Sequence, residues 1–129
     1  GIRSFSKVLI AIRPGRRNKR FIDVADKICR HFGASLTLLN ILSESDGNQK
    51  IKRTEKSSSE LISETKSKSV VKIIKSNNPV EAISEESASY DLLILGTPEK
   101  DNWISVLFGA GEDRFVKKAA CSVLRLTIK

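Results

Sequence analysis

Five short apolar runs set the terms for this chain: residues 7–12 (KVLIAI), 35–42 (SLTLLNIL), 69–75 (SVVKIIK), 91–96 (DLLILG) and 121–128 (CSVLRLTI). Near-continuous apolar stretches of this length suit strands buried on both faces, as in a parallel sheet. Between the runs lie segments with helical character, so the order reads strand, helix, strand throughout. Alternation of this kind implies right-handed crossovers and an α/β fold with helices on both faces of a parallel sheet. In such sheets ligands lie outside the carboxyl ends of the strands, where the strand order reverses. The segments after Ile12, Leu42 and Gly96 are therefore the places to look for function.

The helices are punctuated unevenly. Asn18 is a good N-cap, and Phe21, Ile22, Ala25, Ile28, Cys29 and Phe32 form one apolar stripe that Gly33 stops. Asn78-Pro79 opens another helix cleanly, with Val80, Ile83 and Ala88 as its apolar face. By contrast, residues 43–59 are rich in Ser, Lys, Glu, Asp and Gly and read as a flexible loop. A weak helix over 58–67 follows, anchored by Leu61 and Ile62. A linker over 97–108 carries Trp103, Ile104, Val106, Leu107 and Phe108, which serve as satellite core or as a partner surface. A last helix begins near Gly109-Ala110-Gly111 and carries Phe115, Val116, Ala119 and Ala120. No internal repeat and no second domain is visible, so residues 1–129 are expected to form one domain.

Charge and rare residues narrow the chemistry. The net charge is +8, and Arg3, Lys7, Arg13, Arg16, Arg17, Lys19 and Arg20 crowd the first twenty residues without an acidic neighbour. A solvated basic face, an anion-binding crevice, a nucleic-acid surface and contact with anionic lipid all fit that pattern. Nucleic acid is the weakest of these, because the aromatic residues do not interleave with the basic ones. No apolar run is long enough to cross a bilayer, and residues 1–5 are followed by no h-region of a signal peptide. Cys29 and Cys121 sit in apolar runs and read as small core residues, in keeping with a reducing, cytoplasmic setting. With His31 the lone histidine and no Cys/His cluster, no metal site is expected. Gly109-Ala110-Gly111-Glu112-Asp113-Arg114 lacks the Lys-Ser/Thr ending of a Walker A loop, and no Ser sits in a nucleophile elbow. Nothing here has the makings of a catalytic constellation.

One spacing carries a resemblance. Gly96-Thr97-Pro98-Glu99, followed after nine residues by Gly109-Ala110, is similar to the nucleotide-binding pattern of the universal stress protein family. That pattern is Gly, two residues, Gly, nine residues, then Gly followed by Ser or Thr. The likeness extends to the whole chain: KVLIAI resembles the family's opening strand, ASLTLLNIL its second, and NNPVEAISEESASYDLLILGT its third helix and fourth strand. AACSVLRL resembles its closing strand. The resemblance implies a three-layer α/β/α domain of the adenine nucleotide alpha hydrolase-like type, its five parallel strands in the order 3-2-1-4-5.

For the site, the resemblance implies an adenine nucleotide, ATP or AMP, between the ends of strands one, two and four. Arg13 and the amides of Thr97, Gly109, Ala110 and Gly111 would contact its anionic part, with Gly96 and Glu99 completing the motif. Ile41 and the backbone groups around it would face the base. Three key positions depart from the family pattern: Glu99 replaces a Gly, Ala110 replaces the hydroxyl residue, and Arg13 stands where an Asp is common. Ala110 cannot donate a phosphate hydrogen bond, a loss of roughly 1 kcal/mol, and Glu99 sets a carboxylate against a triphosphate. Gly109 and Gly111 open a helix, whose first N–H groups attract anions. Two readings stay open. One is a nucleotide-binding regulatory domain without catalysis. The other is a nucleotide-free module that dimerises through the C-terminal strand, such as the cytoplasmic tail of a membrane transporter, a setting in which the family also occurs.

Overall fold

A computed structural model describes residues 6–11, 18–98 and 122–128. Each apolar run becomes a strand: β1 (Lys7–Ala11), β2 (Ser35–Leu42), β3 (Ser69–Lys75), β4 (Leu92–Pro98) and β5 (Ser122–Ile128). They form one sheet in the order β3-β2-β1-β4-β5, every pair parallel. Helices α1 (Asn18–Phe32), α2 (Asn48–Ile62) and α3 (Pro79–Ser87) make the connections that are described. The expected fold class and strand order are therefore those observed.

Side-chain alternation divides the core in two. Val8, Ile10, Leu36, Leu38, Leu92 and Ile94 pack on the face covered by α1, whose Phe21, Ile22, Ala25 and Cys29 are buried against them. Leu61 and Ile62 of α2 join that cluster. Leu9, Ala11, Leu39, Leu93 and Leu95 point the other way, onto Ile83 and Val80 of α3. The central strands are thus apolar on both faces because helices cover both. At the edge, β3 alternates between half-buried and exposed residues.

Helix ends follow local chemistry. Arg30 and His31 occupy the last turn of α1, where positive charge suits the dipole. Gly33 then takes a φ of +68°, and the Ala34 amide donates to the Cys29 carbonyl at 2.8 Å, closing a Schellman turn. No atom crowds the place a Cβ would take at Gly33. Gly33→Ala is therefore expected to cost about 1 kcal/mol through backbone strain alone, read as a lower urea midpoint at unchanged m-value. At α3, the Asn78 side chain accepts from the Glu81 amide at 3.3 Å, and Pro79 fills the first turn.

Four local expectations need correction. Residues 48–59 belong to helix α2 and not to a flexible loop, and that helix ends at Ile62 without reaching 67. Its inward positions are Ile51, Thr54, Ser58 and Leu61, of which Thr54 and Ser58 are buried. Their spacing is helical, but small hydroxyl residues stand where leucines usually mark the stripe. Phe32 was expected on the buried face of α1 and is 40% exposed, being the last residue before the chain turns away. Ala88 lies past the end of α3 and is exposed, while Ser87 is buried and its hydroxyl donates to the Ser84 carbonyl at 2.7 Å. Finally, β4 continues through Thr97 to Pro98, because β5 is long enough to pair with it as far as Ile128. The rest of the expected linker, Trp103 included, and the expected last helix lie outside the described residues.

Candidate functional site

Strand order reverses at β1. The chain leaves β1 toward β2 and β3 on one side, while β4 and β5 occupy the other. The last described pairs of β1 are Ala11 with Leu39 and Ala11 with Leu95. Beyond them β2 runs three residues further to Leu42, and β4 three further to Pro98. Two strand ends therefore flank the carboxyl end of β1. They stand two strand spacings apart, about 10 Å, and overhang it by about 10 Å.

The β2 flank is amphipathic. Ile41 is only half buried and packs on the cluster that contains Ala11, Leu39 and Leu95. Its apolar side chain thus lies on the α3 face of the sheet, on the part of β2 that runs past the end of β1. Asn40 points to the opposite face, where it is buried and donates through Nδ2 to the Ser58 hydroxyl of α2 at 2.7 Å. That bond satisfies a polar group that would otherwise be costly inside the layer.

A closed polar turn follows. The Ser43 amide donates to the Asp46 carboxylate at 2.8 Å, and Lys50 pairs with that carboxylate at 3.5 Å. Asn77, beyond β3, accepts from the Ser43 hydroxyl at 3.0 Å and the Glu44 amide at 3.1 Å. Its Nδ2 donates to Glu44 at 3.1 Å, and the Ser76 amide donates to the Leu42 carbonyl at 2.7 Å. These bonds tie the segments after β2 and β3 into one rim, and its carboxylates are held in turn contacts.

Displaced titration is found elsewhere, for example at Cys29 of α1 and at Lys72 of the edge strand β3. Burial, seconded by the Asp26 charge, pushes the Cys29 thiol up to about 11. Cys29 is a buried free thiol, as its place in the apolar stripe suggested. The Glu86 contact at 2.6 Å raises Lys72. Among the described residues no group of three or more His, Cys, Asp and Glu is placed to hold a metal ion.

The structure thus brings Ile41, Gly96 and Thr97 to one end of the sheet, with Gly96 opposite Leu126 and Thr97 opposite Thr127 of β5. Arg13, Glu99, Gly109, Ala110 and Gly111 lie outside the described residues. Sequence reasoning missed the Asn40–Ser58 bond and the Ser43–Asn77 rim. The Asn77-Asn78 pair between a strand and a helix was the available hint, since Asn side chains bind nearby backbone.

Comparison with known proteins agrees with this geometry. The model of the universal stress protein family matches residues 4–126. A search of curated proteins found no match. Among solved structures, a universal stress protein in complex with cAMP superposes with a TM-score of 0.75 at 17% identity, covering 97% of this chain and 98% of the other. One from Archaeoglobus fulgidus in complex with dAMP gives 0.68 at 14% identity, covering 95% and 98%. One from Arabidopsis thaliana with AMP bound gives 0.64 at 17% identity, covering 96% and 92%. At these identities the structural likeness establishes the fold, and the sequence model, which matches nearly the whole chain, establishes the kinship. This chain belongs to the universal stress protein family.

Proposed function

We propose that this domain binds an adenine nucleotide at the carboxyl end of β1, between the overhanging ends of β2 and β4, and serves as a regulatory module without catalysis. The observation that carries the reading is the half-buried Ile41 on the overhanging end of β2, packed on the cluster that includes Ala11, Leu39 and Leu95. It gives a flat base an apolar seat at the switch point, with backbone groups at 40–42 within reach of the ring edge. Similar proteins that hold cAMP, dAMP or AMP support the choice of ligand. Arg13 and the amides of Gly109, Ala110 and Gly111 are the groups proposed for the phosphate. Glu99 adds a carboxylate to that segment and Ala110 removes a donor. AMP is therefore expected to bind at least as tightly as ATP. Calorimetry with ATP, ADP and AMP tests this: heat with a Kd of roughly 1 mM or tighter supports it. Absence of heat with all three at millimolar concentration refutes it.

A second reading is favoured by the place of β5 at the end of the sheet, where among the described residues it pairs with β4 alone. A strand edge of this kind can take up another strand. In this reading the chain is a nucleotide-free homodimer joined through β5, or the cytoplasmic tail of a membrane transporter. No helix among the described residues is long and apolar enough to cross a membrane. Sedimentation equilibrium distinguishes a β5-joined dimer from a monomer.

A further inference from the structure

Helix α2 meets β2 through a polar contact at a place where an apolar one would serve stability equally well. On the face covered by α1 and α2, the other buried residues of β2 are Leu36, Leu38 and, by strand alternation, Leu42. Asn40 stands between the last two, 2% exposed, and donates through Nδ2 to the Ser58 hydroxyl at 2.7 Å. An apolar pair of similar size would fill this place with no polar group left to satisfy. What the polar pair adds is direction. A hydrogen bond fixes distance and angle, which an apolar contact leaves loose.

Direction matters here because of where Asn40 sits. Leu39 is the last residue of β2 that pairs with β1, opposite Ala11. Among the described residues, Asn40, Ile41 and Leu42 pair on one side alone, with Ile73, Ile74 and Lys75 of β3. A stretch with one neighbour strand twists more freely than one held on both sides. Earlier in β2, the Ser35 amide donates toward β1, to the Ser6 carbonyl, and the Leu36 amide donates the other way, to the Lys68 carbonyl. By the same alternation the Ile41 N–H and C=O face the side on which β1 no longer pairs. Asn40 and Ile41 are adjacent with side chains on opposite faces, so a backbone rotation at one turns the other. The bond to Ser58 holds that rotation from the helical layer.

We propose that Asn40 and Ser58 are positioning residues for the nucleotide site: through their bond, α2 sets the angle at which β2 presents Ile41 to the ligand. They act from the far face of the strand, without touching the ligand. This role rests on the nucleotide site proposed at the strand ends.

Calorimetry with AMP on the parent and on N40V/S58A, beside urea unfolding of both, tests it. The double variant removes both polar partners together, so its urea midpoint is expected to stay near the parent's. Its AMP affinity is expected to fall about tenfold. Ser59→Ala, on the exposed side of α2, should bind as the parent does. If the double variant does not fold, Ser58→Ala and Ser58→Thr are compared. The alanine variant should lose about tenfold, and the threonine variant, which restores the hydroxyl, should recover most of that loss. A parent that binds AMP no more tightly than the folded double variant overturns the positioning role and leaves the nucleotide site standing. An equal loss in Ser58→Ala and Ser58→Thr does the same. A parent that gives no heat with AMP removes the nucleotide site, and the positioning role with it.

Discussion

Phe21→Ala is expected to lower the free energy of unfolding by about 3–5 kcal/mol, the largest effect of any single truncation considered for this domain. Phe21 is 1% exposed and packs from the first turns of α1 onto the cluster formed by β1, β2 and β4. Removing the ring takes away its transfer free energy and leaves a cavity that the surrounding strands can only partly fill. The walls are Val8, Ile10, Leu36, Leu38 and Ile94, all held in the sheet ladder. A domain of this size has about 5–15 kcal/mol in total, so the variant should unfold at far lower urea, with an unchanged m-value. Phe21→Leu, which keeps most of the volume, should lose roughly 1–1.5 kcal/mol. A truncation that cost no more than the leucine change would mean that α1 does not pack as described.

The second large effect concerns Asp26, a buried carboxylate whose work is done outside its own helix. It accepts from the Ser67 amide at 3.0 Å, from the Ser67 hydroxyl, and from the Lys66 amide at 3.2 Å. Arg30 lies 3.4 Å away. These bonds fasten the turn between α2 and β3 to α1, across about forty residues of chain. Asp26→Ala would leave two backbone amides without their acceptor in a partly buried turn, and about 2–4 kcal/mol is expected to go with them. Burial alone would raise this carboxyl, but the Ser67 hydroxyl, the Ser67 and Lys66 amides and Arg30 outweigh it and hold it below the ordinary range. A carboxyl with a depressed folded pKa stabilises the fold above its unfolded value of about 4, and that share disappears as pH falls through the folded value. Stability of the parent should therefore decline below about pH 4. The Asp26→Asn variant should start lower at neutral pH and lack this part of the decline. Equal acid sensitivity in both proteins would contradict the assignment.

These residues also mark what the sequence made legible. The strands are plain because parallel pairing under two helical layers demands runs such as LLIL and VLIA, with no polar residue to keep one face wet. Helices α1 and α3 carry their own punctuation in Gly33 and Asn78-Pro79. Helix α2 stayed hidden because its inward stripe holds Thr54 and Ser58, whose polarity resembles that of a loop; only the partner Asn40, eighteen residues back, gives Ser58 a reason to be buried. Phe32 misled in the opposite direction, since an apolar residue in register with a buried stripe counts as core until the helix ends beneath it. At the candidate site, the periodicity located the strand ends, and the family resemblance singled out Ile41, Gly96 and Thr97. The rim of Ser43, Glu44 and Asn77 depends on contacts between segments more than thirty residues apart, which no local pattern encodes.

The nucleotide site can be tested at single residues. In an AMP titration of the isotope-labelled protein followed by amide NMR, the account expects the largest shifts at residues 40–42 and at Gly96 and Thr97, the two strand ends that flank β1. Shifts confined to α1 and α2, or none at saturating AMP, would contradict it.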